Sequence, residues 1–139
     1  MRISLNHILI FRRLERLDAV TTEQWDRMFA VNARGTFLCY KYAIKQMIQQ
    51  GRGGRIVGAS SAAGLKGSPR WPHYSATKFA VRGLTQAVGG SKDGLFCRPV
   101  NAYSRTAQEV GKHGITVNAY APGKDLNFNR RIMLSRYTF

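Results

Sequence analysis

Cysteine and long apolar runs are scarce in this sequence of 139 residues. The two cysteines, Cys39 and Cys97, form no Cys-x-x-Cys pair and have no histidine at the spacing of metal ligands. This pattern argues against a disulfide framework and a metal site, and it favours a reducing compartment. The reducing compartment predicts a cytoplasmic protein. No apolar run approaches the roughly 18 to 20 residues of a membrane span, so no membrane segment is expected.

Acidic residues are scarce as well, which leaves a large positive charge. There are 22 Lys and Arg against 7 Asp and Glu, a net charge of +15. Such a balance is typical of proteins that bind nucleic acid. No recognised nucleic-acid-binding motif accompanies it, however, and the excess is greatest in three stretches with poor periodicity, 1–16, 88–105 and 124–139. A basic nucleic-acid-binding protein therefore stays an alternative and is not the favoured interpretation.

A glycine-rich loop that could cradle a dinucleotide is also missing. No GxGxxG or GxxxGxG motif follows a strand pattern anywhere in the chain. The glycines between 51 and 54 lie between a helix pattern and a strand pattern, which is the wrong side of a strand for such a loop.

The most informative stretch of the chain extends from residue 54 to residue 84. The short apolar run 55–59 has the length and β-branched content of a strand buried on both faces. Ser60 and Ser61 follow at its end, and a loop with glycine and proline comes next. From Tyr74 to about residue 88 the pattern predicts a helix without internal proline.

Tyr74 and Lys78 are four residues apart within that predicted helix. Their phenol and ammonium groups therefore share one helix face, about one turn apart. Ser61 precedes Tyr74 by thirteen residues. His73, the neighbour of Tyr74, faces a different direction on a helix, so it is interpreted as structural.

A long helix is predicted before this stretch. Thr21 and Gln24 have the spacing of a capping box, and apolar residues then recur at helical intervals until Gly51 ends a helix of roughly 28 residues. Asn32 is a polar residue in its apolar stripe. It is either a buried amide that satisfies a neighbouring element or a functional residue. A second strand is predicted over 115–119, followed by Pro122 and Gly123.

A strand ending in Ser60-Ser61, followed at this interval by a Tyr-x-x-x-Lys helix, resembles the active-site segment of the short-chain dehydrogenase/reductase family. Within that family the chain is most similar to the acetoin and diacetyl reductases, and the resemblance covers roughly 17–87 and 106–123. It implies an α/β fold: an incomplete Rossmann-type, doubly wound parallel sheet, of which only the C-terminal half is present, with long helices flanking few strands. It also implies oxidoreductase activity that interconverts alcohol and ketone by hydride transfer.

The resemblance implies four catalytic residues, Asn32, Ser61, Tyr74 and Lys78. Ser61 would hydrogen-bond the substrate oxygen, and Asn32 would hold a water molecule of the proton relay. Tyr74 would exchange a proton with the substrate, and an adjacent ammonium should lower the pKa of its phenol, which is ordinarily about 10. The thirteen-residue interval selects Ser61 and not Ser60.

The resemblance also implies a nicotinamide cofactor, NAD or NADP, with no preference readable from the sequence. Lys78 would hold its ribose hydroxyls, and the residues expected at the cofactor are Tyr74, Lys78, Pro122 and Gly123. Three apolar residues, Leu65, Trp71 and Pro72, are predicted to line the pocket for a small alcohol or ketone. No metal is expected.

The departures from the family pattern predict how the chain is organised. Residues 1–16 are expected to be a poorly ordered leader, for which a mitochondrial presequence is the weaker alternative. A partial Rossmann-like domain is predicted over 17–123, interrupted by an insertion at 88–105, and 124–139 form a tail unlike the family. One hypothesis is that the insertion and the tail derive from unspliced intron.

The missing glycine loop predicts a fragment that is inactive by itself. In a complete protein the helices at 22–50 and 74–88 are expected to form a homo-oligomer interface. The alternative is a catalytically dead fragment that only associates through those helices.

Overall fold

The structure is a computed structural model that describes residues 2–5, 15–89 and 110–122. Four sequence-based predictions lie wholly or mostly outside the described residues: Gly123 at the cofactor, most of the leader, most of the insertion, and the tail from 124 onwards. Within the described residues there are three strands and three α-helices, in the chain order β1 (Arg2–Leu5), α1 (Thr22–Phe29), α2 (Gly35–Gln50), β2 (Gly54–Ala59), α3 (Pro72–Gly89) and β3 (Ile115–Tyr120).

Helices α1 and α2 form one continuous helix, because a single π-helical turn, Ala30–Arg34, joins them. Its start is the predicted capping box: the Thr21 amide donates to the Gln24 side chain at 2.8 Å, and the Gln24 amide donates to the Thr21 hydroxyl at 3.3 Å. Its end is Gly51, which adopts a left-handed conformation with φ of 65°. The predicted long helix is confirmed, and the π-turn is an addition that the apolar periodicity does not reveal.

The sheet is parallel, with the order β1-β2-β3. Ile56 at the centre of β2 lies opposite Ile3 on one side and Val117 on the other. The sequence predicts only the two strands β2 and β3, and it places Arg2–Leu5 in a poorly ordered leader. In the structure these four residues pair with β2. The sequence does not reveal this strand because four residues are too few for a periodic pattern. The strand can nevertheless form, since the unpaired backbone groups at the edge of β2 accept any extended segment.

Two apolar clusters hold the fold together. The sheet core lies between α2 and the sheet, and its buried members are Tyr40, Ala43, Met47, Ile56, Val110, Ile115 and Val117. The site cluster is smaller and consists of Met28, Ala63 and Tyr74, with Trp71 packed against it. A fully buried side chain such as Met47 contributes about 1.5–3 kcal/mol to the free energy of folding. None of the helices among the described residues combines the length and apolar character needed to span a bilayer.

Candidate active site

The carboxyl ends of β2 and β3 meet at one edge of the sheet, because the two strands are parallel. The Ser60 amide donates to the carbonyl of Tyr120 at 2.8 Å, and the Ala62 amide donates to the carbonyl of Pro122 at 2.9 Å. The loop with the two serines and the segment after β3 are thereby fixed side by side. In open parallel sheets of this kind, ligands bind outside the carboxyl ends of the strands.

Two hydrogen bonds connect the end of β2 with helix α3. The buried Ser60 hydroxyl donates to the carbonyl of Lys78 at 3.0 Å, and the Lys78 ammonium donates to the carbonyl of Ala59 at 3.0 Å. Because Ala59, the last residue of β2, and Ser60, the next residue, each pair with a group of Lys78, the position of that lysine relative to the strand end is well defined. The Ser60 hydroxyl is thus engaged in holding the fold.

Ser61 is placed beside Tyr74. Its hydroxyl caps the short helical turn at 62–64 by accepting from the Ala63 amide at 3.2 Å. The same hydroxyl forms a hydrogen bond with Tyr74, and that bond lowers the pKa of the phenol. Burial acts in the opposite direction and is the larger effect, so the pKa of Tyr74 is raised above its ordinary value of 10.0. At neutral pH the phenol is therefore protonated.

Lys78 is 3% exposed, and its ammonium lies over the Tyr74 ring, 5.6 Å from the ring centroid. Burial lowers the pKa of this lysine. From the sequence, Lys78 is expected to lower the pKa of Tyr74, but in the structure the group that lowers it is the Ser61 hydroxyl. The ammonium instead donates to the backbone at Ala59.

Asn32 lies in the π-turn and is 1% exposed. Its amide nitrogen donates to the sulfur of Met28 at 3.0 Å and to the hydroxyl of Thr77 at 3.3 Å. Its backbone carbonyl accepts from the hydroxyl of Thr36 at 2.7 Å. Its side-chain oxygen is buried and has no hydrogen-bond partner among the described residues. Asn32 therefore reaches helix α3 through Thr77.

Thr77 is a contributor to this site that the sequence analysis does not identify. Its hydroxyl donates to the carbonyl of Tyr74 at 2.8 Å. The available signal is its place in the Tyr-x-x-x-Lys motif, three residues after Tyr74, since a threonine can bond the carbonyl one turn earlier in a helix. His73, interpreted as structural, is buried at the start of α3.

The three predicted pocket residues lie in different environments. Trp71 contacts Tyr74 edge-on, with 6.1 Å between the ring centroids and an interplanar angle of 75°. Leu65 is 39% exposed. Pro72 lines an open cavity of about 620 Å³ that neither Leu65 nor Trp71 lines. Its other lining residues are Arg16, Leu17, Asp18, Ser68, Pro69 and Arg70. A pocket that combines all three residues remains a prediction.

A substitution at Gly64 tests how closely the serine loop must approach helix α3. A Cβ atom added there would lie 2.7 Å from the carbonyl oxygen of Lys78, a backbone atom held in a helix. We expect Gly64→Ala to lower the free energy of unfolding by about 1–3 kcal/mol, because the loop must move away from the helix. Denaturant unfolding of the purified variant measures the change.

Gly67→Ala is the matched control in the same loop. A Cβ atom at Gly67 has no atom within 4 Å among the described residues. Equal unfolding midpoints for Gly64→Ala and Gly67→Ala would contradict the close approach of the loop.

Comparison with known proteins identifies relatives of this chain. The family model of the short chain dehydrogenases matches residues 10–92. A short-chain dehydrogenase/reductase of Armillaria gallica is 50% identical over 103 residues, which are 74% of this chain and 33% of that protein. The acetoin dehydrogenase of Enterobacter cloacae, a crystal structure, is 30% identical with a TM-score of 0.69, and the match covers 88% of this chain and 40% of that one.

A solved structure of an ElxO variant with NADPH bound is also similar, at 30% identity and a TM-score of 0.67 over 88% of this chain and 41% of that one. The chain thus spans about a third of the length of the Armillaria relative and about two fifths of the two solved structures. The incomplete Rossmann-type sheet predicted from the sequence is confirmed by these structures. Since the family model matches more than half of its residues, the chain belongs to the short-chain dehydrogenase family.

Proposed function

We propose that this chain is the catalytic half of a nicotinamide-dependent oxidoreductase that interconverts a small alcohol and its ketone. The observation that carries the proposal is the meeting of Ser61, Tyr74 and Lys78 at the carboxyl ends of the parallel strands, with Ser61 hydrogen-bonded to Tyr74. The similar acetoin dehydrogenase suggests a hydroxyketone of the acetoin type as the first substrate to test.

Tyr74 is the proton donor in the proposed reduction. Its phenol is protonated at neutral pH, since its ordinary pKa is already 10.0 and burial raises the pKa further. It can therefore give its proton to the ketone oxygen as that oxygen gains negative charge. In the reverse direction the deprotonated phenol takes the proton of the alcohol, so the raised pKa of Tyr74 favours reduction at neutral pH and oxidation at high pH.

Ser61 holds the substrate oxygen in the same proposal. Its hydroxyl is fixed between the Ala63 amide and Tyr74, so a substrate oxygen that contacts Ser61 is also beside the phenol. The single O–H of Ser61 would turn from the Tyr74 oxygen to the substrate oxygen and stabilise the charge that develops there.

Lys78 fits the ribose of a nicotinamide cofactor. A lysine ammonium has three donors, and among the described residues one carbonyl, that of Ala59, accepts from it. Donors therefore remain for ribose hydroxyls at the strand ends, close to Tyr74. When bound, the nicotinamide supplies or accepts the hydride; NAD and NADP are both open.

The chain by itself lacks a recognisable binding site for the phosphates of the cofactor. Its sequence contains no glycine loop that would present a helix N-terminus to the pyrophosphate. We expect the pure 139-residue chain to show no ketone-dependent oxidation of NADH or NADPH, measured by nicotinamide absorbance with acetoin and diacetyl. Turnover by the pure chain would overturn this expectation.

The complementary experiment adds a dinucleotide-binding segment to the chain. A dinucleotide-binding half with a glycine loop, joined ahead of residue 17, should restore turnover with a nicotinamide cofactor. A folded fusion that binds the cofactor and leaves every ketone unreduced would overturn the proposed function.

Self-association through the helices stays a prediction. Phe37 and Tyr42 on α2 are exposed, as is Phe79 on α3, so both helices carry apolar surface that another copy could cover. Nothing in the described part of the chain supports the alternative of nucleic acid binding.

A further inference from the structure

Thr77 occupies a fully buried position between two elements of the site. It is 0% exposed, and its hydroxyl takes part in two hydrogen bonds. It donates to the carbonyl of Tyr74 at 2.8 Å and accepts from the amide nitrogen of Asn32 at 3.3 Å. One oxygen atom thus joins the backbone of the tyrosine to the long helix.

The π-turn supplies the other end of this connection. Asn32 is buried in that turn and also donates to the sulfur of Met28 at 3.0 Å. Met28 belongs to the site cluster together with Tyr74. The Asn32 amide therefore has two hydrogen-bond partners, Met28 on its own helix and Thr77 on α3. Met28 shares the site cluster with Tyr74, and Thr77 bonds the Tyr74 carbonyl.

We propose that Thr77 is a positioning residue for Tyr74, fixing the first turn of α3 against Asn32 so that the phenol stays beside Ser61. The purpose of this connection rests on the proposed function, but the connection itself can be tested without turnover. Loss of the Thr77 hydroxyl removes the bond to the Tyr74 carbonyl and leaves the Asn32 amide with Met28 alone. The Tyr74 side chain then gains freedom to leave Ser61.

Thr85 provides a matched control on the same helix. It is 1% exposed, its hydroxyl donates to the carbonyl of Val81 at 2.8 Å, and it pairs with the hydroxyl of Tyr40 on the long helix at 2.8 Å. The two threonines thus make the same kinds of bond. Thr85 is eight residues further along α3, about 12 Å from Thr77, so it does not touch Tyr74 or its carbonyl.

The experiment follows the phenol of Tyr74 in the 139-residue chain labelled with ¹³C-tyrosine. NMR spectra of wild type, Thr77→Val, Thr77→Ser and Thr85→Val give the ring-carbon signal of Tyr74 at neutral pH and its titration midpoint, with Tyr74→Phe identifying the signal. We expect Thr77→Val to move the signal and to change the midpoint by about half a pH unit or more, because burial and the Ser61 bond, the two causes of the Tyr74 pKa shift, both depend on where the phenol lies. Thr77→Ser, which keeps the hydroxyl, should restore both values.

Thr85→Val should lower the melting temperature about as much as Thr77→Val and leave the Tyr74 signal and midpoint unchanged. Circular dichroism at each pH confines the comparison to folded protein. If Thr77→Val leaves the Tyr74 signal as it is in wild type, or moves it no more than Thr85→Val does, the positioning role is wrong. This outcome is independent of the proposed function, which the turnover of the fusion tests separately.

Discussion

Replacing Tyr74 by phenylalanine should lower kcat about a hundred- to ten-thousandfold in the fusion that carries the dinucleotide-binding half. The variant loses only the phenol oxygen, which is the group proposed to exchange a proton with the substrate. Its ring still fills the place between Met28, Ala63 and Trp71, so the site cluster stays packed. Steady-state kinetics with acetoin, together with a fluorescence titration of NADPH, should show lost turnover and nearly unchanged cofactor affinity.

Tyr42→Phe is the control for this substitution. Tyr42 lies on α2 and is 61% exposed, so removal of its hydroxyl should leave kcat and the cofactor affinity as in wild type. Turnover close to wild type in Tyr74→Phe would remove the phenol from the reaction and, with it, the proposed mechanism.

Lys78→Met should damage both cofactor binding and turnover. A hydrogen bond to a charged group contributes about 1.5–3 kcal/mol, so loss of the ammonium should weaken cofactor binding roughly ten- to a hundredfold. The value of kcat should fall as well, because a cofactor that the ammonium no longer holds is less well placed beside Tyr74. Lys41→Met on α2 is the control, because the Lys41 ammonium also lies over an aromatic ring, 5.9 Å from the centroid of Phe37. This variant should change neither the cofactor affinity nor kcat.

Lys78→Met should also change how the stability of the fold depends on pH. Burial lowers the folded-state pKa of Lys78 below its ordinary value of 10.5, so the folded chain binds fewer protons than the unfolded chain between those two values. The stability of wild type therefore rises with pH across that interval. Loss of the bond to the Ala59 carbonyl opposes the gain from removing a buried charge, so the test is the trend with pH. The melting temperature of Lys78→Met relative to wild type should fall as the pH approaches 10.5, because the buried charge of wild type is then lost. A difference in melting temperature that does not change with pH would contradict the lowered pKa of Lys78.

The sequence predicts the parts of this molecule that follow from local patterns. The capping box at Thr21 and the glycine stop at Gly51 are short-range signals, and both are confirmed. The strand before Ser60 and the Tyr-x-x-x-Lys helix are confirmed as elements for the same reason. The roles of the site residues stay predictions, although the structure does bring Ser61, Tyr74 and Lys78 to one place.

Features that depend on packing between distant segments are not predictable in this way. Strand β1 pairs with β2 more than fifty residues away, and no local pattern indicates that pairing. The link from Asn32 to Thr77 joins residues 45 apart. The pKa of Tyr74 depends on burial, which sequence spacing does not report, so the sequence argument overlooks the effect that dominates.

The π-turn at 30–34 sets the rotational phase between the two halves of the long helix. Met28, ahead of the turn, faces Tyr74, while Tyr40 and Met47, behind it, face the sheet core. Each residue of an α-helix advances by about 100°, so a deletion of one residue in this turn would rotate one half against the other by that angle. Either the site cluster or the sheet core would then lose its partner. The length of this segment is therefore constrained more tightly than the identity of most of its side chains.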